Sequence, residues 1–133
     1  MVRKAAFLIV LMLATAGHAR EIKSISIDRS RESSDSFSEA IRQCKDFHPT
    51  RSQLRAYFAK AYPVDEHLSV NMHYSAYYAE GTIVLLDGNR GRWKLLSSGI
   101  AIITWQRGDS VVLFHTPNAW YDPFAGSYDD NGI

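Results

Sequence analysis

The chain has 133 residues, 15 of them basic and 14 acidic, with 46% hydrophobic and 12% aromatic residues. So even a charge balance gives no electrostatic case for binding nucleic acid or an anionic membrane, and so aromatic a composition belongs to a folded chain. The length fits one small domain with a single core.

The first nineteen residues, "MVRKAAFLIVLMLATAGHA", combine basic Arg3 and Lys4, an apolar run from Ala5 to Ala14, and small residues Gly17 and Ala19 at the positions a signal peptidase reads. This is the pattern of a secretory signal peptide, and the run is too short for a membrane-spanning helix of about 20 residues. Residues 1–19 are therefore expected to be removed. That leaves a product beginning at Arg20 with 13 basic and 14 acidic residues, periplasmic or secreted and not inserted in a membrane.

Residues 20–43 read as a polar N-terminal segment and 44–133 as a single domain. Ile22 to Ile27 is a possible short strand. "SRESSDSFSE", residues 30–39, has only Phe37 to bury and reads as a loosely attached stretch or the lead-in to a turn of helix at Glu39 to Cys44. Cys44 is the only cysteine. It is either buried as a small hydrophobe or bridged to another chain, and no electropositive setting marks it as reactive.

In "HPTRSQLRAYFAKAYP" the spacing predicts an amphipathic helix of about three turns. Thr50 and Gln53 form a capping box, Leu54, Tyr57, Phe58 and Ala61 share a face, and Pro63 ends it. Four strands follow in "TIVLL", "RWKLL", "IAIITWQ" and "SVVLFH", joined by "DGNRG", "SSG" and "RGD". A five-residue loop Asp87–Gly91 places Ile83 opposite Leu95. A three-residue loop Ser97-Ser98-Gly99 with a left-handed Gly places Trp93 opposite Ile103. A two-residue Gly108-Asp109 turn places Ile103 opposite Phe114. One face is then Ile83, Leu85, Trp93, Leu95, Ala101, Ile103, Trp105, Val112 and Phe114, all apolar, and the other is mixed. Arg107-Gly108-Asp109 is accordingly a hairpin tip and not an adhesion motif.

The expected fold class is α+β, with one N-terminal amphipathic helix packed on an antiparallel β-meander of four or more strands. Asp87 and Asn89 have a calcium-loop spacing that is not completed, the histidines lack metal-ligand spacing, and no phosphate loop or nucleophile elbow occurs. No catalytic residue, metal or cofactor is expected. The aromatic residues Trp120, Tyr121, Phe124 and Tyr128 either cap the core or line a recognition surface.

The stretches "FHPTRSQLRAYFAKAYP", "YYAEGT", "GRWKL", "GIAIITWQRGDSVVLF" and "NAWYDPF" resemble a family of small exported bacterial proteins over Cys44 to Phe124. The resemblance implies an exported domain and brings no catalytic residues. At the level of fold, a helix followed by an antiparallel meander also resembles cystatin-like inhibitors. The expected function is a non-enzymatic protein-binding module of immunity, inhibitor or envelope-assembly type, with a protein partner in the cell envelope. Its candidate contact residues are Arg90, Arg92, Arg107, Asp109, Trp120, Tyr121 and Asp122. The alternative is a domain that binds a glycan or small ligand through its aromatics, and the third reading is an enzyme using Cys44 or Asp122 with a histidine.

Overall fold

The structure, a computed structural model, describes residues 21–36, 42, 44–66 and 74–128. The expected signal peptide, Phe37 and Asp129–Asp130 lie outside the described residues, as does most of the helical turn expected at Glu39 to Cys44. Six strands form one antiparallel sheet: β1 (Ile22–Ser33), β2 (Tyr62–Pro63), β3 (Tyr77–Leu85), β4 (Arg90–Leu96), β5 (Ile100–Trp105) and β6 (Ser110–Phe114), in the order β1-β3-β4-β5-β6-β2. The helix α1 (Arg51–Lys60) follows β1 and covers one face. This overturns the expected α+β plan of an N-terminal helix on a meander. The molecule is mostly antiparallel sheet, its short helix comes after the first strand, and β2 returns beside β6.

The strand expected at Ile22–Ile27 continues to Ser33. Its hydrophobic signal is weak because only Ile25 is fully buried. Main-chain pairing to β3 holds it, with bulges at Ile27/Arg29 and Arg29/Glu32. Those bulges bend the edge away from further pairing. A 3-10 turn at Cys44–Asp46 leads into a chain that covers part of the edge: the Arg31 N–H donates to the Phe47 carbonyl at 2.9 Å and the Cys44 thiol donates to the Arg31 carbonyl at 2.9 Å. Burial, and then the charge of Glu32, raises the Cys44 thiol above its ordinary value. Cys44 is buried as a thiol, un-ionised at neutral pH.

α1 begins as its sequence dictates. Thr50 Oγ1 accepts from the Gln53 N–H at 3.1 Å while Gln53 Oε1 accepts from the Thr50 N–H at 2.9 Å. Leu54, Tyr57 and Ala61 are buried against Ala79, Ile83, Trp93, Leu95, Ala101, Ile103 and Leu113. The Tyr57 hydroxyl crosses this core and donates to the Gly99 carbonyl at 2.8 Å and toward Leu113 at 3.3 Å.

The three hairpin loops turn out alike. Leu86-Asp87-Gly88, Ser97-Ser98-Gly99 and Gln106-Arg107-Gly108 each have three residues and close on a Gly at positive φ, at 93°, 97° and 108°. The β4–β5 register is as expected, with Trp93 opposite Ile103. The β3–β4 register differs: Ile83 faces Gly91, an even displacement that leaves the faces unchanged. β6 is displaced by an odd number of residues, so Ile103 faces Val111 and the strand is inverted. Val111 and Leu113 therefore face α1. Val112 and Phe114 join Leu96 and Ile100 in a second cluster on the other face.

At Gly81 the neighbouring strand leaves no room for a side chain. Trp93, directly opposite it, lays its indole across that position and donates from Nε1 to the Ser26 carbonyl of β1 at 3.2 Å. A Cβ on Gly81 would sit 1.9 Å from the Ser26 oxygen. Gly81→Ala is expected to cost about 3 kcal/mol or more by pushing β1 off the sheet. Gly88→Asn, at a left-handed position with open space around it, should cost less than about 1 kcal/mol. Urea unfolding of both variants checks this, with equal losses contradicting the assigned β1–β3 contact.

Candidate functional site

The β4–β5 turn stands at one end of the sheet, and the chain after β6 folds back across it. Trp120 is pinned there: its Nε1 donates to the Ser97 carbonyl at 2.9 Å, and its ring meets Phe47 at 5.9 Å and Tyr57 at 5.7 Å between centroids. Phe124 packs on Tyr77 at 5.1 Å. Between these two aromatic anchors Asp122 turns inward. Its Oδ1 accepts from Ser97 Oγ at 2.8 Å and from the Phe124 N–H at 3.1 Å, and its Oδ2 accepts from the Tyr128 hydroxyl at 2.8 Å. Since the Ser97 proton points to Asp122, the buried Ser75 hydroxyl donates to Ser97 Oγ, while Ser75 Oγ accepts the Tyr77 N–H at 3.2 Å. The polar chain is thus continuous from the backbone of β3 to the C-terminal segment.

Of this network Ser97, Asp122 and Tyr128 line a cleft of about 620 Å³, together with Ser98, Thr116, Asn118, Trp120 and Tyr121. Ser98 is 7% exposed, and its Oγ has no hydrogen-bond partner among the described residues. A buried hydroxyl without a partner is costly and calls for an explanation. Tyr121, at the rim, is 62% exposed. The structure therefore brings together three of the expected site residues, Trp120, Tyr121 and Asp122. To them it adds Ser97 and Ser98, which sequence reasoning used only as turn residues.

The other expected site residues lie elsewhere. Arg90 and Arg107 border a shallow depression with Asn89, Trp105 and Gln106 at the far end of the sheet, where the β3–β4 and β5–β6 turns sit. Arg107 closes on Asp109, Nε to Oδ1 at 2.5 Å and Nη2 to Oδ2 at 3.1 Å. The hydrogen bond from Arg107 lowers the Asp109 carboxyl below its ordinary value. Arg92 lies on the open face and pairs with Asp28 at 3.6 Å. Two further depressions flank α1. One, lined by Ile22, Phe58, Leu85, Trp105 and Val111 among others, presents only apolar side chains, and the other includes Lys60, His115 and Asn118. Among the described residues no three His, Cys, Asp or Glu side chains are grouped to hold a metal ion.

Two phenols make the core sensitive to alkali. Burial holds the Tyr57 phenol far above its ordinary value of 10.0, and burial followed by the hydrogen bond and charge of Asp122 does the same for Tyr128. The unfolded chain gives up these protons near pH 10, whereas the folded chain keeps them. Stability is thus fully present below about pH 10 and is lost as pH rises past it. Urea midpoints taken from about pH 8 to about pH 11 should fall over the upper part of that range. Tyr128→Phe should show a smaller fall than wild type, and an unchanged alkaline profile would contradict the buried setting of Tyr128.

No protein-family model, no curated protein and no solved structure matches the chain, so the site is read from its own residues alone.

Proposed function

We propose that the chain is an exported, non-enzymatic module that binds a small ligand in the cleft between the β4–β5 turn and the C-terminal segment. The observation that carries this reading is Asp122: a carboxylate in the wall of a cleft that Trp120 and Tyr121 also line, held by three neutral donors that leave about one of its roughly four lone-pair sites for a ligand. Half-buried aromatics beside a few converging polar groups are the usual lining of a ligand site.

Binding rather than catalysis is favoured by the lining, in which the described residues include no histidine, cysteine or lysine to activate a nucleophile. The Ser97 proton is committed to Asp122. Docking of a protein through Arg90, Arg92, Arg107 and Asp109 has less support. Arg107 and Asp109 bind each other, and Arg92 lies against Asp28. Export rests on the leader pattern of residues 1–19.

The test is an amide NMR titration of the protein with small neutral saccharides and other polar fragments. Saturable shifts should be confined to residues 97–99 and 116–128, and Tyr121→Ala should weaken the best binder about 3- to 10-fold. Capture of an envelope protein with shifts at Arg90 and Arg107 and none in the cleft would replace this reading with the protein-docking one.

A further inference from the structure

We propose that the cleft selects a small organic cation, an ammonium or guanidinium group on a frame with one apolar face; this rests on the ligand-site reading above. The argument begins with charge. Among the described residues Asp122 is the one charged side chain lining the cleft, and it has no ion-pair partner among them. Its three donors, the Ser97 hydroxyl, the Phe124 N–H and the Tyr128 hydroxyl, are all neutral. They fix the carboxylate in place without cancelling its charge. A carboxylate has roughly four lone-pair sites, so three donors leave room for one more.

The surroundings suit an N–H donor better than another anion. An incoming phosphate or carboxylate would meet the negative charge of Asp122 with no Lys, Arg or His among the described lining residues to offset it. A neutral alcohol could fill the vacant lone pair but would gain nothing from the charge. A cation gains both, because a charge-assisted hydrogen bond is roughly twice as strong as a neutral one and because the partly enclosed wall screens the attraction less than bulk water does. The rings of Trp120 and Tyr121 supply faces that attract a cation and cover an apolar frame.

The experiment uses three probes of one shape and different charge, benzylammonium, benzyl alcohol and benzoate, titrated into the protein near neutral pH and followed at the amides of residues 97–99 and 120–128 and the Trp120 indole N–H. Benzylammonium should bind at least about tenfold more tightly than benzyl alcohol, with benzoate weakest. Its affinity alone should fall several-fold on raising salt from about 0.01 M to about 0.15 M. Asp122→Asn keeps an acceptor for Ser97 and should bring benzylammonium down to the level of benzyl alcohol, with an unmoved Trp120 indole signal showing that the segment is still in place. If that variant loses the segment, the salt dependence of the wild type decides. Equal binding of the alcohol, or tighter binding of benzoate, at cleft residues would overturn the cation assignment and leave the ligand site standing. Absence of cleft shifts with all three probes and with neutral saccharides would remove the ligand site as well.

Discussion

The turn Ser97-Ser98-Gly99 is the constraint from which both the core and the cleft are built. Gly99 must take a left-handed conformation for the hairpin to close. A Cβ there would lie 2.4 Å from the His115 carbonyl, so no side chain fits in any case. The backbone freed by that tightness is then used by its neighbours. The Gly99 carbonyl accepts the buried Tyr57 hydroxyl of α1, and the Ser97 carbonyl accepts the Trp120 indole of the returning chain. One turn therefore ties the helix, the sheet and the C-terminal segment to a common point. The two serine side chains on it divide the remaining work. Ser97 is consumed in holding Asp122, and the buried Ser98 hydroxyl has no partner among the described residues.

The two ends of the sheet differ for the same topological reason. Antiparallel strands of similar length place alternate turns at opposite ends, so the β3–β4 and β5–β6 turns sit together away from the cleft. They carry Asp87, Arg90, Arg107 and Asp109 and are open to water. There the Arg107–Asp109 pair is exposed on both sides and contributes little to stability. The chain after β6 covers the other end with Trp120, Phe124 and Tyr128, and enclosure makes a single carboxylate consequential. Tyr128 shows the effect directly, since burial and the charge of Asp122 both keep its phenol protonated.

Much of this was legible in the sequence where a local rule decides the outcome. The Thr50–Gln53 capping box, the apolar face of α1 and the β4–β5 turn depend on residues within a few positions of each other. The flanking hairpins misled because "DGNRG" and "RGD" each contain more than one plausible turn. The rule that holds for Ser97-Ser98-Gly99, a three-residue loop closing on Gly, applies to all three. Applying it throughout would have set β6 correctly, because an odd displacement is what moved Val112 and Phe114 to the wrong face. The extent of β1 was not legible, since its polar residues are held by backbone pairing and not by a burial pattern. Nor was the role of Asp122, which depends on Ser97, 25 residues earlier, and on a segment rich enough in acid and glycine to read as a solvated tail.

A crystal structure of the protein soaked with a primary amine such as benzylammonium tests the central claim most directly. It should show the nitrogen within hydrogen-bond distance of the Asp122 carboxylate, with the ring against Tyr121 or Trp120. An amine seated instead in the apolar crevice beside Trp105, away from Asp122, would contradict the account.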